Sequence, residues 1–195
     1  TIKVCKIKLT QNHLILMDYH LNKKAIFLDR DGVINHEVNY LHNIIDFEFI
    51  EGVFDACCHF QALGYKIIVI TNQSGIARGY YTKRDFHHLN NWMIDQFKEK
   101  GIRILETFYC PHLPESSCEC RKPKPGMLIS AKEKYNINMS KSWLIGDKES
   151  DIHAANNSGI INTVLVKSGH KISEQSSKAK FIINSIIDSK LLIIK

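Results

Sequence analysis

Residues 24–33 read KAIFLDRDGV, in which an apolar run leads directly into two carboxylates, Asp29 and Asp31, followed by a glycine. Such a run is typical of a buried parallel strand, and Asp-x-Asp-Gly is typical of a turn at its carboxyl end. This edge of an open parallel sheet is where ligands bind. Two carboxylates on one turn repel each other unless a cation or a shared proton compensates, and a hard metal ion suits oxygen ligands. Taken alone, the motif also fits a solvated turn.

The rest of the chain repeats the order of a short apolar strand and an amphipathic helix. Strands are predicted at 66–70, 102–109, 142–145, 163–166 and 181–183. Helices are predicted at 53–63, at 82–100, at 127–135, through Ala154 and Ala155 to Gly159, and at the C-terminal end. This alternation predicts an α/β fold of the Rossmann-like, doubly wound kind, with helices on both faces of a parallel sheet. Residues 1–22 lack a strong pattern and are interpreted as an N-terminal extension before a single domain at 23–195.

The net charge of +6 comes from lysines and arginines that are scattered along the chain. Because no helix-turn-helix, RNA-binding aromatic motif or basic stripe accompanies this charge, nucleic acid is not an expected partner. A mildly positive field suits an anionic small molecule such as a phosphate ester. The apolar runs are too short to span a bilayer and no secretory signal is visible, so we expect no membrane partner and a cytoplasmic location.

Polar side chains follow four of the predicted strands. They are Asp29 and Asp31, Thr71 and Asn72, Arg121 and Lys122 beyond a loop, and Asp147 and Asp151. The carboxyl ends of parallel strands share one edge, so these groups can meet over a single pocket. Asp29 and Asp147 can hold Mg²⁺, and one carboxylate can then attack phosphorus to form an aspartyl phosphate. Asp31 can protonate the leaving alkoxide and later deprotonate water, while Lys122 and Thr71 stabilise the phosphoryl oxygens.

Cysteines are clustered in one loop, since three of the six, Cys110, Cys118 and Cys120, stand close together with His112 among them. In a chain without a visible signal peptide, clustered thiols favour a metal over disulfides. Three thiolates and an imidazole make a tetrahedral zinc set, and with four protein ligands the Zn²⁺ would be structural. It would fix the loop that presents the following two basic residues; loose thiols in a flexible loop are the alternative. The cysteines at 57–58 are interpreted as core residues.

Five segments resemble a known family when they are taken together. They read DRDGVIN at 29–35, TNQSGIARG at 71–79, CPH at 110–112, CECRKP at 118–123 and GDK at 146–148. This set resembles the phosphatases of the haloacid dehalogenase (HAD) superfamily and, within it, the family of heptose 1,7-bisphosphate 7-phosphatases. The resemblance runs from about residue 23 to about residue 188. It implies a HAD-like domain without a large cap domain, in which a zinc-stapled loop helps to shape the pocket.

The resemblance implies a role for each matching residue. Asp29 would be the nucleophile and Asp31 the general acid and base. Thr71 and Lys122 would stabilise the phosphoryl group. Mg²⁺ would be held by the Asp29 side chain, the Asp31 backbone carbonyl and Asp147. The residues that would bind the substrate are Glu37, Val38, Asn39, Tyr40, Asn72, Gln73, Ser74, Arg121 and Lys148.

The implied substrate is a sugar bisphosphate, D-glycero-D-manno-heptose 1,7-bisphosphate, which would lose its 7-phosphate on the way to ADP- or GDP-activated heptose for lipopolysaccharide core or another surface glycan. The short spacer between His112 and Cys118 is also similar to the one in histidinol-phosphate phosphatases, which are the alternative family. The segment at 74–79 and Lys148 favour membership of the heptose enzymes. The anomer is left open. A non-catalytic, zinc-stapled binding module is the alternative of another class, and the intact set of catalytic residue types argues against it. We expect a monomer.

Overall fold

A computed structural model of the protein describes residues 23–194, so the predicted extension at 1–22 lies outside the described residues. Its centre is a six-stranded sheet in which every pairing is parallel. The strands are β1 (Ala25–Leu28), β2 (Lys66–Asn72), β3 (Ile104–Cys110), β4 (Trp143–Gly146), β5 (Asn162–Val166) and β6 (Phe181–Ile183). Their order, β3-β2-β1-β4-β5-β6, places the strand of the Asp-x-Asp motif in the middle. The predicted doubly wound parallel sheet is confirmed.

Helices cover both faces of this sheet. They are α1 (Val53–Ala62), α2 (Lys83–Glu99), α3 (Gly126–Tyr135) and α4 (Glu149–Ser158). In β1, Ile26 and Leu28 belong to the core under α1 and α2, whereas Ala25 and Phe27 belong to the core under α3 and α4. Successive side chains of a strand point to opposite faces, so a strand that is buried on both sides has to be apolar throughout. This is why the prediction of β1 rests on an unbroken apolar run.

Helix ends follow local chemistry. Thr82 begins α2 with a capping box, because its hydroxyl accepts from the Asp85 backbone N–H while the Asp85 carboxylate accepts from the Thr82 backbone N–H. The predicted C-terminal helix is a short 3₁₀ helix at Ile186–Leu191.

The prediction for Cys58 is wrong: Cys57 is buried, but Cys58 is exposed. Consecutive residues of an α-helix point about 100° apart, so only one of the two thiols faces the sheet.

The long connection from β1 to α1 lies over the carboxyl edge of the sheet and contains a single 3₁₀ turn, Ile44–Asp46. Within residues 23–194, therefore, no second domain caps this edge, in agreement with the predicted absence of a large cap. None of the helices in that part of the chain combines the length and the apolar character that crossing a bilayer requires.

Candidate active site

Asp29 is the first residue beyond β1, and its backbone N–H donates to the carbonyl of Ile145 in β4 at 3.0 Å. Its Oδ1 accepts from the Arg30 backbone N–H at 2.7 Å and contacts Lys122 Nζ at 3.0 Å. Burial raises the pKa of Asp29 to about 6; the charge of Lys122 opposes this rise, and Asp151 and Asp31 add to it. At neutral pH the carboxylate, which is the nucleophilic form, therefore predominates.

Asp31 lies beside Asp29 and is held on both carboxylate oxygens. The buried Arg30 guanidinium contacts it through Nε at 3.1 Å and Nη2 at 3.0 Å. Asn35 Nδ2 donates to Oδ1 at 3.0 Å, and Gln73 Nε2 donates to Oδ2 at 3.2 Å. Several donors that surround one carboxylate limit its rotation, so the carboxyl group has a defined orientation toward the cavity.

Lys122 is buried among the strand ends, where its ammonium contacts Asp151 Oδ1 at 2.6 Å and the Ile70 carbonyl oxygen at 3.0 Å, besides Asp29. Burial alone lowers the pKa of Lys122, but the carboxylates of Asp151 and Asp29 outweigh this effect and leave it raised. Its backbone is clamped by Asn72, whose side-chain amide donates to the Lys122 carbonyl and accepts from the Lys122 N–H, both at 3.1 Å. A permanent cation thus lies next to the candidate nucleophile.

Asp147, beyond β4, is fully buried, and burial is the main cause of its raised pKa. A Cβ at either Gly32 or Gly169 would collide with its carboxylate, which explains the glycine that follows the Asp-x-Asp pair. Its Oδ2 accepts from the backbone N–H of His170 at 3.0 Å and contacts the His170 Nδ1 at 2.5 Å. Its Oδ1 is buried and has no hydrogen-bond partner among the described residues. A buried carboxylate oxygen without a partner is costly, and a cation would satisfy it.

Oxygens of Asp29, Asp147 and Asp151 all lie within 4.8 Å of one another, which is the kind of carboxylate set that Mg²⁺ takes together with water and phosphate oxygens. Asp151 is already engaged on both sides, by Lys122 at Oδ1 and by the Lys148 backbone N–H at Oδ2, 3.0 Å away. The unpartnered Oδ1 of Asp147 and the neighbouring Asp29 carboxylate are therefore suited to bind a magnesium ion. Asp151 is suited instead to hold the Lys122 ammonium in place.

A cavity of about 320 Å³ opens at this edge of the sheet. Every residue predicted to be catalytic or to bind substrate lines it. The predicted metal ligand Asp147 does not line the cavity, but its carboxylate lies within 4.8 Å of that of Asp29. The predicted residues on its wall are Asp29, Asp31, Glu37, Val38, Asn39, Tyr40, Thr71, Asn72, Gln73, Ser74, Arg121, Lys122 and Lys148. The structure thus brings together groups that are far apart in the sequence, and the roles of these residues stay predictions.

The four predicted zinc ligands lie together in the loop that leads from β3 to Lys122. Cys110 Sγ is 3.7 Å from Cys118 Sγ and 3.5 Å from His112 Nδ1, which is 3.3 Å from Cys120 Sγ. Ligands of tetrahedral zinc with ordinary bond lengths are separated by roughly 3.8 Å between sulfurs and roughly 3.6 Å between sulfur and nitrogen. The donor set and its spacing therefore fit Zn²⁺, and Arg121 is joined to this loop by a hydrogen bond from Nη1 to the His112 carbonyl at 3.3 Å.

The chain is similar to known proteins over most of its length. The HAD-hydrolase-like family model matches residues 119–189. The D-glycero-alpha-D-manno-heptose-1,7-bisphosphate 7-phosphatase of Photorhabdus laumondii is 48% identical over 180 residues, which cover 89% of this chain and 98% of that protein. The D-glycero-beta-D-manno-heptose-1,7-bisphosphate 7-phosphatase of Pasteurella multocida is 44% identical over 178 residues, covering 88% and 97%. Both relatives are matched over nearly their whole length.

This chain belongs to the heptose 1,7-bisphosphate 7-phosphatase family. The fold is similar to a crystal structure of the D,D-heptose 1,7-bisphosphate phosphatase from B. bronchiseptica complexed with magnesium and phosphate, with a TM-score of 0.76 at 25% identity. The superposition covers 87% of this chain and 97% of that chain. The expected family resemblance and the expected class of enzyme, a phosphoric monoester hydrolase, are thus confirmed.

Several residues that line the cavity of this protein were not predicted from the sequence, and three of them, Arg30, Tyr81 and His170, contact predicted site residues. Arg30 lies between two predicted catalytic residues, so its position in the motif was a signal. His170 and Tyr81 follow strands by several residues in loops without a recognisable pattern, and only the folding of these loops over the sheet edge brings them to Asp147 and Gln73.

Proposed function

We propose that this protein is a Mg²⁺-dependent phosphatase that removes the 7-phosphate of D-glycero-D-manno-heptose 1,7-bisphosphate through an aspartyl-phosphate intermediate. The observation that carries the proposal is the buried Asp29 carboxylate at the cavity floor, 3.0 Å from Lys122 and next to the firmly held Asp31. The substrate is inferred from relatives at 48% and 44% identity that bear this activity in their names.

The reaction divides into two displacements at phosphorus. In the first, an Asp29 carboxylate oxygen attacks phosphorus, and the bond from phosphorus to the sugar oxygen breaks while Asp31 gives that oxygen a proton. In the second, Asp31 takes a proton from water as the water oxygen attacks the phosphorus of the aspartyl phosphate, which releases inorganic phosphate and restores Asp29. Lys122 and the Thr71 hydroxyl stabilise the negative charge on the transferring phosphoryl oxygens.

Mg²⁺ would be held by Asp29, Asp147 and the Asp31 backbone carbonyl, and there it would reduce the repulsion between the carboxylates and a phosphate dianion. The unpartnered Oδ1 of Asp147 supports this assignment. Zn²⁺ would be held by the Cys110, His112, Cys118 and Cys120 cluster and would have a structural role, because the four protein ligands leave no position for water or substrate.

The substrate would be bound by the cavity wall beyond the reacting phosphate. Arg121 and Lys148 supply positive charge, which suits the second phosphate of a bisphosphate. Glu37, Val38, Asn39 and Tyr40 line the same cavity, where a sugar can be bound. We place the enzyme in the cytoplasm as a monomer, on the route to ADP- or GDP-activated heptose for lipopolysaccharide core or another surface glycan.

The proposal is tested by measuring phosphate release from both anomers of heptose 1,7-bisphosphate and from histidinol phosphate. Mg²⁺-dependent release of one phosphate per heptose, stopped by EDTA and by Asp29→Asn, is expected. Asp55→Asn is the matched control, because Asp55 lies on α1 and does not line the cavity. Preference for histidinol phosphate by orders of magnitude in kcat/KM would overturn the substrate assignment. No release from any of these esters would overturn the enzyme assignment and favour the zinc-stapled binding module.

A further inference from the structure

Gln73 lies between two of the candidate catalytic residues, and its side chain is almost fully buried. Its Nε2 donates to Thr71 Oγ1 at 2.8 Å and to Asp31 Oδ2 at 3.2 Å. Its Oε1 accepts from the Tyr81 hydroxyl at 2.5 Å. Both ends of the amide are therefore engaged within the protein, although the sequence predicts Gln73 as a substrate contact.

The chemistry of these partners favours one orientation of the amide. Arg30 and Asn35 also donate to Asp31, and while Asp31 is ionised it accepts hydrogen bonds and cannot donate, so the NH₂ end of Gln73 faces it. The carbonyl end then faces Tyr81, whose hydroxyl has a single proton and has to donate it. Burial raises the pKa of Tyr81 to about 12, and although the charge of Arg30 opposes this rise, the phenol stays protonated at neutral pH.

The same arrangement directs the Thr71 hydroxyl. Because Thr71 Oγ1 accepts from Gln73, its own O–H remains available to donate into the cavity that Thr71 lines. The amide thus sets the direction of one hydroxyl donor and one carboxylate at the same time. Its own orientation depends on Tyr81, since without that donor the amide oxygen would be buried with no partner.

Tyr81 is held firmly by its surroundings. Its ring is stacked on His42 with centroids 5.2 Å apart and planes 11° apart. On another side it packs so closely against Gly75 that a Cβ there would collide with the ring. The turn that positions it is closed by a hydrogen bond from the Tyr80 backbone N–H to the Gly75 carbonyl at 3.0 Å. Loss of the hydroxyl would therefore leave the ring in place.

We propose that Tyr81 and Gln73 are positioning residues that hold the general acid Asp31 and the Thr71 hydroxyl in their reactive orientations, and that the Gln73 side chain does not bind the substrate. This inference rests on the proposed function, because it assigns Asp31 to protonation of the leaving group. Removal of the Tyr81 hydroxyl should impair the reaction mainly where the leaving group needs a proton.

The experiment compares kcat/KM for heptose 1,7-bisphosphate and for p-nitrophenyl phosphate in wild type, Tyr81→Phe and Gln73→Leu. A sugar alkoxide needs protonation as it leaves, whereas nitrophenolate does not, and kcat/KM includes the step in which either group departs. General acid catalysis contributes roughly 10²–10⁴-fold, so we expect each variant to lose about tenfold or more on the sugar ester. Loss on p-nitrophenyl phosphate should be several-fold smaller, because this ester reports only the misdirected Thr71 hydroxyl, which acts on the phosphoryl group of both substrates.

Tyr80→Phe is the matched control, because it removes the same hydroxyl from a neighbouring, exposed tyrosine and keeps the ring that contacts Tyr40. Thermal unfolding of each variant shows whether a loss of activity comes from misfolding, which lowers Tm, or from misorientation of Asp31 and the Thr71 hydroxyl in a folded enzyme. Equal losses on the two substrates, or no loss in Tyr81→Phe, would overturn the positioning role. Failure of the wild-type enzyme to hydrolyse the heptose ester while it hydrolyses p-nitrophenyl phosphate would instead refute the proposed substrate; the positioning role would then be judged on another alkyl phosphate.

Discussion

Substitution of Lys122 by Met should reveal how much the folded state depends on a cation that is buried among carboxylates. The Lys122 side chain is 2% exposed and contacts Asp151 and Asp29 at 2.6 and 3.0 Å, and these side chains are 0% and 11% exposed. Methionine fills nearly the same volume but leaves both carboxylates without their cation. Removing one partner of a buried ion pair costs about 3–5 kcal/mol. For a chain of this size that loss corresponds to a fall in Tm of roughly 6–20 °C.

The loss should depend on pH. Burial already holds the pKa of Asp29 at about 6 against the opposing effect of Lys122, so removing the lysine raises this pKa further. A carboxyl group whose folded pKa exceeds its unfolded value loses stabilising free energy as the pH rises through the folded pKa. Hence Lys122→Met should be least destabilised near pH 5, where the Asp29 carboxyl group is protonated, and most destabilised above pH 7. Between these pH values the free energy of unfolding should fall by up to ~1.4 kcal/mol per pH unit.

Urea unfolding at several pH values, in EDTA, measures this difference. Lys124→Met is the matched control, because Lys124 pairs with Glu119 at 3.0 Å on the surface, where the two side chains are 44% and 83% exposed. An exposed pair contributes about 0–1 kcal/mol, so this variant should lose little stability at any pH. A destabilisation of Lys122→Met that does not change with pH, or that equals the loss in Lys124→Met, would refute the reasoning.

Two further predictions concern the metal sites. The purified protein should contain one zinc ion per chain by elemental mass spectrometry. Cys120→Ser should lose this zinc, because three ligands hold zinc less tightly than four. The control Cys58→Ser, on the exposed side of α1, should keep it. His170→Ala should weaken Mg²⁺ binding in calorimetric titration about 10–100-fold, since the His170 ring contacts Oδ2 of Asp147 and so helps to orient the carboxylate. The control His153→Ala should bind Mg²⁺ like wild type, because the His153 ring is exposed on α4. Equal Mg²⁺ affinities of the two variants would contradict the role of His170.

Much of the fold could be predicted because strand and helix signals are local. The run from Ala25 to Leu28 is apolar at every position, as a strand buried on both faces requires, and the capping chemistry of Thr82 marks the start of α2. The thiols at 57–58 show where local reasoning is wrong. A thiol is compatible with both a core and a surface position, and only the direction in which α1 lies on the sheet buries Cys57 and exposes Cys58.

The candidate site divides in the same way. Asp29, Asp31 and Asp147 could be predicted because parallel strands deliver their carboxyl ends to one edge, whatever the loops do. The cluster of candidate zinc ligands could be predicted because a short loop keeps four metal-binding side chains together. Gln73 could be placed at the site but its contacts could not, because its amide partners, Tyr81 and Asp31, come from two separate loops.

The sequence by itself determined the sheet, its central strand, the chemical types at the strand ends and the cysteine cluster, because these follow from residue spacing and residue chemistry. The tertiary structure alone decided which charges pair, with Lys122 shared by Asp29 and Asp151 and with His170 in contact with Asp147. The physical reason is burial. Away from water, each polar group has to find a partner within hydrogen-bond reach, and that partner is chosen by how the loops pack over the sheet edge.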